Sequence, residues 1–194
     1  LAHQHTNPST HHNMPNQHGP WTVRESIPVY QNPWLSVRED RVSSPEGKPG
    51  IFGIVTIGDG VSVLALDKEG FVYLTQEFHY AAGEETIEVV SGGVNPEETS
   101  LDGAKRELRE ELGIEAGDWQ YLGMIQGYTT LVSGKCHLYL AQKLTFHPVV
   151  PESGEYIQPV KMPLEQAVAM AMEGKIYQAP SCVLLLKAWM HLRK

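Results

Sequence analysis

The sequence predicts a mixed α/β sandwich preceded by a small antiparallel β-segment, and three observations lead there. Short runs of alternating apolar and polar residues recur from Trp21 to Tyr80, which is the period of strands. One internal stretch, bounded by Thr99 and Gly113, switches to the period of a helix. After further strand-like runs, two helix-like stretches close the chain. Strands on both sides of one internal helix, with helices at the end, indicate layered α and β structure rather than an all-β fold.

The elements follow in order. "WTVRESIPVY" and "WLSVREDRV" alternate and are separated by "QNP", giving two strands and a turn. "SPEGKPG" is a second turn and "IFGIVTI" a third strand. "VSVLALD" and "FVYLTQEFHY" are split by "DKEG", a hairpin-like connection. "ETIEVVSGG" reads as one short strand running into a glycine turn. In the helix that follows, Thr99 suits the N-cap and Gly113 the stop. At 100° per residue Leu101, Ala104, Leu108 and Leu112 share one stripe, with Glu107 and Glu111 on its flank and Glu110 beside them. "WQYLGMIQGY", "CHLYLAQKL" and "EYIQPVKM" read as strands, and "PLEQAVAMAMEG" and "APSCVLLLKAWMHLR" as helices.

Composition sets limits on function. The 194 residues suit one sizeable domain with a small appendage, and 41% hydrophobic with 20% charged residues is ordinary for a globular protein. A formal charge of -8 without a basic stripe gives no case for nucleic-acid binding. The two cysteines, Cys136 and Cys182, form no Cys-x-x-Cys pair, which excludes a disulfide framework and a thiolate zinc site. No apolar run reaches the roughly 18–20 residues that span a bilayer, and no signal-peptide core is visible, so no membrane partner and a cytoplasmic location are expected. Residues 1–20 are rich in His, Asn, Pro and Gln; a histidine metal tract is conceivable there, but a disordered tail is the simpler reading. Residues 21–50 form the N-terminal β-segment and 51–194 the main domain.

Chemistry concentrates in "SGGVNPEETSLDGAKRELREELGI". Glu107, Glu110 and Glu111 crowd one side of a helix, where like charges a turn apart are destabilising. A cation against that face would offset the repulsion. Gly92, five residues, Glu98, seven residues, then Arg106-Glu107-Leu108-x-Glu110-Glu111-x-Gly113-Ile114 fills every fixed position of the box that marks the Nudix hydrolases. The chain resembles that family. The resemblance implies an α/β/α sandwich with a mixed sheet, and Mg2+, or Mn2+ in its place, held by Glu107, Glu111 and the Ser91 carbonyl. Hard oxygen ligands on a rigid helix suit such an ion. Arg106 would orient the glutamates, while Gly92, Glu98 and Gly113 would be structural.

Outside the box, "YQNPW", the "SPEG" turn, "EFHY" and "EVVSG" resemble the ADP-ribose pyrophosphatase branch. That branch has an N-terminal β-segment through which two subunits pair, so a homodimer is expected. The likeness makes Glu155 a further metal ligand and catalytic candidate, with Glu152 and Glu110 as alternative proton acceptors. Glu88, His79, Tyr80, Phe78 and Trp21 become candidate substrate contacts, the aromatics as platforms for a base. His79 departs from the branch, where an arginine commonly serves the substrate phosphates, and "GYTTLVSGK" departs as well. The expected reaction is hydrolysis of a nucleoside diphosphate linked to another moiety, ADP-ribose or another nucleoside diphosphate sugar first, giving a nucleoside monophosphate and a sugar phosphate. Alternatives are a catalytically silent module that binds a nucleotide as a sensor, and a hydrolase of nucleoside triphosphates or dinucleoside polyphosphates.

Overall fold

The computed structural model describes residues 16–149 and 156–193. It comprises two compact units, residues up to Ile57 with Thr130–Ser133, and Gly58–Thr129 with Gly134–Lys194. The first unit is a five-stranded sheet of β1 (Asn16–His18), β2 (Trp21–Gln31), β3 (Leu35–Ser43), β4 (Pro49–Ile57) and β10 (Val132–Ser133), in that order. All neighbours are antiparallel except β4 and β10. Strand β1 lies inside the stretch that reads as a tail. It buries no side chain and is held by backbone pairing with Trp21–Val23, a contribution that composition does not reveal.

The second unit holds β5 (Gly60–Leu66), β6 (Phe71–His79), β7 (Glu84–Glu88), β8 (Val90–Gly93), β9 (Ile114–Ile125), β11 (Cys136–Phe146) and β12 (Gln158–Pro163). Its three helices are α1 (Ser100–Leu112), α2 (Leu164–Met172) and α3 (Ala179–His191). The sheet order is β12-β6-β5-β11-β9, with β7 on β6 and β8 on β5. Only β5 and β11 pair in parallel.

Both faces of this sheet are covered, which explains why β5 reads as a nearly unbroken apolar run. Val61, Val63 and Ala65 pack with Val90, Leu108 and Leu112 under α1. Leu64 and Leu66 pack with Leu138, Leu140, Leu184 and Leu185 under α2 and α3. The result is the α/β/α sandwich that the sequence predicts.

The helix α1 ends as its sequence suggests. Thr99 Oγ1 accepts from the Asp102 N–H at 3.2 Å, and Gly113 sits at φ 64° with its N–H bonded to the last turn. A Cβ at Gly113 would lie 2.3 Å from the His147 carbonyl oxygen, so glycine is required for space as well as for conformation. "ETIEVVSGG" also differs from expectation: it is two strands rather than one running into a glycine turn, because the chain leaves β6 after Glu88 and joins β5 from Val90, and Gly92 and Gly93 are the end of β8.

Candidate active site

A cavity of about 290 Å3 opens where β5 and β8 begin and β6 ends, and its lining includes Glu77, His79, Glu88, Ser91, Gly92 and Glu111. Strand alternation supplies part of this set: Thr75, Glu77 and His79 are two apart on β6 and so share a face. Phe78 falls on the other face and Tyr80 in the turn after β6, and both are exposed, Tyr80 at 92%. Neither lines the cavity. Tyr128 is exposed too, and Trp21 belongs to the N-terminal unit, where its ring meets Phe52 edge-on at 5.2 Å between centroids.

The box helix is tied to the end of β8 by Arg106. Its Nη1 donates to Glu107 Oε1 at 2.7 Å and to Glu110 Oε2 at 3.0 Å. Its Nη2 donates to Glu98 Oε1 at 2.7 Å and to the Gly93 carbonyl at 2.8 Å, and Nε reaches Glu98 Oε2 at 3.2 Å. One planar fork therefore orients three carboxylates and a strand end, a task for which lysine lacks the geometry. The Arg106 guanidinium, with help from the Asn95 N–H, holds the Glu98 carboxyl down to about 2. The same contacts, Glu98 foremost, raise the Arg106 pKa and keep it charged. Glu110 faces this arginine and is not part of the cavity lining.

Gly92, on β8, lies where a side chain is excluded. A Cβ there would lie 2.0 Å from the Glu107 carboxyl carbon. The Glu107 carboxylate thus occupies the place a side chain would take, close to the Ser91–Gly92 backbone. Glu111 reaches the cavity from the next turn of the helix. The donors gathered here, a backbone carbonyl and carboxylates, are hard oxygens that suit a small divalent cation. Among the described residues no three His, Cys, Asp or Glu side chains converge as a complete metal cage. Glu152 and Glu155 lie outside the described residues.

Glu88 is 7% exposed, and its Oε1 accepts from Thr86 Oγ1 at 2.6 Å and faces His79 Nε2 at 3.2 Å. The two residues that the sequence offers separately are therefore a pair. Several lining residues had escaped notice in the sequence, among them Ser62, Thr75, Cys136 and Gln178. Ser62 left a signal, as the one polar residue within "VSVLAL".

A larger cavity, about 740 Å3, lies at the other end of β5 and β6 and contains no box residue. Its lysines Lys68, Lys143 and Lys161 each have an acidic partner within 3.6 Å, so it offers no open charge to an anion.

Comparisons with known proteins bear on this geometry. The family model described as NUDIX domain matches residues 56–181, and the one described as nucleoside diphosphate sugar hydrolase N-terminal domain matches residues 21–55. The methanol dehydrogenase activator of Bacillus methanolicus is 21% identical over 80% of this chain and 85% of its own. The ADP-ribose pyrophosphatase of Bacillus subtilis is 24% identical over 78% of this chain and 83% of its own. A crystal structure of an ADP compounds hydrolase superposes with a TM-score of 0.80 over 92% of this chain and 97% of its own, at 18% identity, which shows a shared fold.

Proposed function

The chain belongs to the Nudix hydrolase family, and from that premise we propose that it cleaves the diphosphate of a nucleoside diphosphate linked to a second moiety, ADP-ribose or another nucleoside diphosphate sugar first. The products are a nucleoside monophosphate and a sugar phosphate. The observation that carries this reading is the single cavity shared by Ser91, Gly92, Glu111 and the Glu88–His79 pair. The nucleoside diphosphate sugar hydrolase match at residues 21–55 and the named activity of the Bacillus subtilis relative support the substrate class.

Nudix hydrolases generally act with divalent metal ions, and Mg2+ is our assignment, with Mn2+ able to replace it. The Ser91 carbonyl, Glu107 and Glu111 would hold the ion, with Glu155 as a further ligand. A divalent cation bound there offsets the negative charge of the diphosphate and of the departing phosphate. Arg106 keeps Glu107 and Glu110 oriented, while Glu98, Gly92 and Gly113 maintain the end of β8 and the helix end. A carboxylate accepts the proton of the attacking water. Glu110 is the described candidate; Glu152 and Glu155 are the candidates outside the described residues. Glu88 holds His79 toward the substrate phosphates. A panel of ADP-ribose, other nucleoside diphosphate sugars, dinucleoside polyphosphates and nucleoside triphosphates, with Mg2+ or Mn2+, tests the reading. Preference for triphosphates would overturn it.

If His79 contacts phosphate, a fixed bidentate cation in its place should bind more tightly. His79→Arg is then expected to lower KM for ADP-ribose about tenfold, the low end of what one hydrogen bond to a charged group contributes, with kcat little changed. An unchanged KM would leave His79 as a strand-end residue.

The chain is proposed to act as a homodimer in the cytoplasm. Val29, Tyr30, Trp34, Ile51 and Ile57 leave large apolar surfaces exposed on the N-terminal sheet, the kind of surface that subunit pairing covers. Light scattering should give twice the chain mass at micromolar concentration; a monomer would count against this assembly. No helix among the described residues is long and apolar enough to cross a membrane.

A further inference from the structure

Val89 lies where the chain stops pairing with β6 and starts pairing with β5. Backbone groups at such a crossing lose their ladder partners, and buried ones must find others. Side-chain hydroxyls provide them. Val89 N–H donates to Ser181 Oγ at 3.0 Å, and its carbonyl accepts from Ser91 Oγ at 3.1 Å. The Glu88 carbonyl accepts from Thr75 Oγ1 at 3.3 Å. Ser181, on α3, in turn donates to Gln178 Oε1 at 2.5 Å and is fully buried.

The chain of donors continues away from the strand. Ser62 Oγ is 2.8 Å from Ser91 Oγ and 3.3 Å from Cys136 Sγ. A hydroxyl has one proton, and that of Ser91 is given to Val89. Ser62 must therefore donate to Ser91, and the Cys136 thiol to Ser62. The direction is fixed along the whole relay. Burial pushes the Cys136 thiol up, which keeps its proton in place.

We propose that Ser62, Ser181 and Cys136 are positioning residues: through the Val89 crossing they set the Ser91 carbonyl and the Glu88 side chain against the cavity. A fully buried serine on a strand whose neighbours are all apolar costs stability unless its hydroxyl is used, and here it is used at the crossing between two functional groups. The proposal rests on the cation-site reading of Ser91, Glu107 and Glu111.

The test is Mn2+ affinity of the full chain, by calorimetry without substrate, alongside kcat and KM. Groups that orient metal ligands typically matter by about 10-fold or more in affinity, so Ser62→Ala and Ser181→Ala should weaken Mn2+ binding about 10-fold and lower kcat. Cys136→Ala should weaken it less, and Cys136→Ser, which keeps a donor, should restore it. If the serine variants do not fold, the Cys136→Ala and Cys136→Ser pair decides on the same readout. Wild-type Mn2+ affinity in every folded variant of the relay, with Glu111→Gln binding poorly, overturns the relay alone. Wild-type affinity in Glu111→Gln as well overturns the cation site beneath it.

Discussion

Glu111→Gln is expected to abolish most turnover at saturating Mg2+ while leaving the fold intact. The change keeps the side chain's shape and removes only its charge, so the packing of Leu108 and Leu112 on the inner face of α1 is untouched. Charge neutralisation by a bound cation contributes several kcal/mol to reactions of this kind, and each 1.36 kcal/mol is tenfold in rate. A loss of at least about 100-fold in kcat follows, with a melting temperature within a few degrees of wild type. Steady-state kinetics and thermal melts measure the two quantities. Turnover near the wild-type rate would remove Glu111 from the cation site.

Gly92→Ala should be nearly as damaging by a different route. The added methyl must displace the Glu107 carboxylate, whose carboxyl carbon lies 2.0 Å from where the Cβ would be. That carboxylate is the far end of a rotatable side chain, so the stability cost is small. Its displacement also breaks the 2.7 Å contact with Arg106 Nη1, which loosens the fork on Glu110 as well. Misplacing a positioned group by about 1 Å can cost on the order of 100-fold in rate. Gly92→Ala should therefore lose about 10- to 100-fold in kcat/KM and less than about 1 kcal/mol of stability, as read from chemical denaturation. A variant that unfolds, or one with full activity, contradicts the close approach of Glu107 to the end of β8.

Local features were legible in the sequence, and features made by distant pairing were not. The caps at Thr99 and Gly113 and the buried stripe of α1 depend on residues within a few turns, so spacing alone revealed them. The pairing of Arg106 with Glu110 follows from charge and i,i+4 spacing, whereas its contact with Glu98, before the helix, does not. The break at Val89 is different: the Val89–Val90 doublet interrupts the alternation there, but that β7 ends and a new strand begins follows only from the exchange of partner strands. Its hydroxyl partner Ser181 is 92 residues away, beyond any local signal. The pairing of Glu88 with His79 was hidden for the same reason. Alternation along β6 did carry usable information, since it separates His79 from Phe78 by face.

The parallel contact between β5 and β11 has a consequence for how the chain reaches this state. Ser62 and Cys136 meet across 74 positions, and everything from the box helix to β9 lies in the loop they close. Closing long loops delays folding, because chain entropy is lost before the contacts that offset it form. The hairpin of β9 and β11 and the helix α1 are local enough to form early. The central strand pair, and with it the relay beneath Ser91, can close only after Cys136 has emerged and returned to the sheet. A nascent chain ending before β11 would hold every box residue and still lack the central strand that carries Cys136 to Ser62.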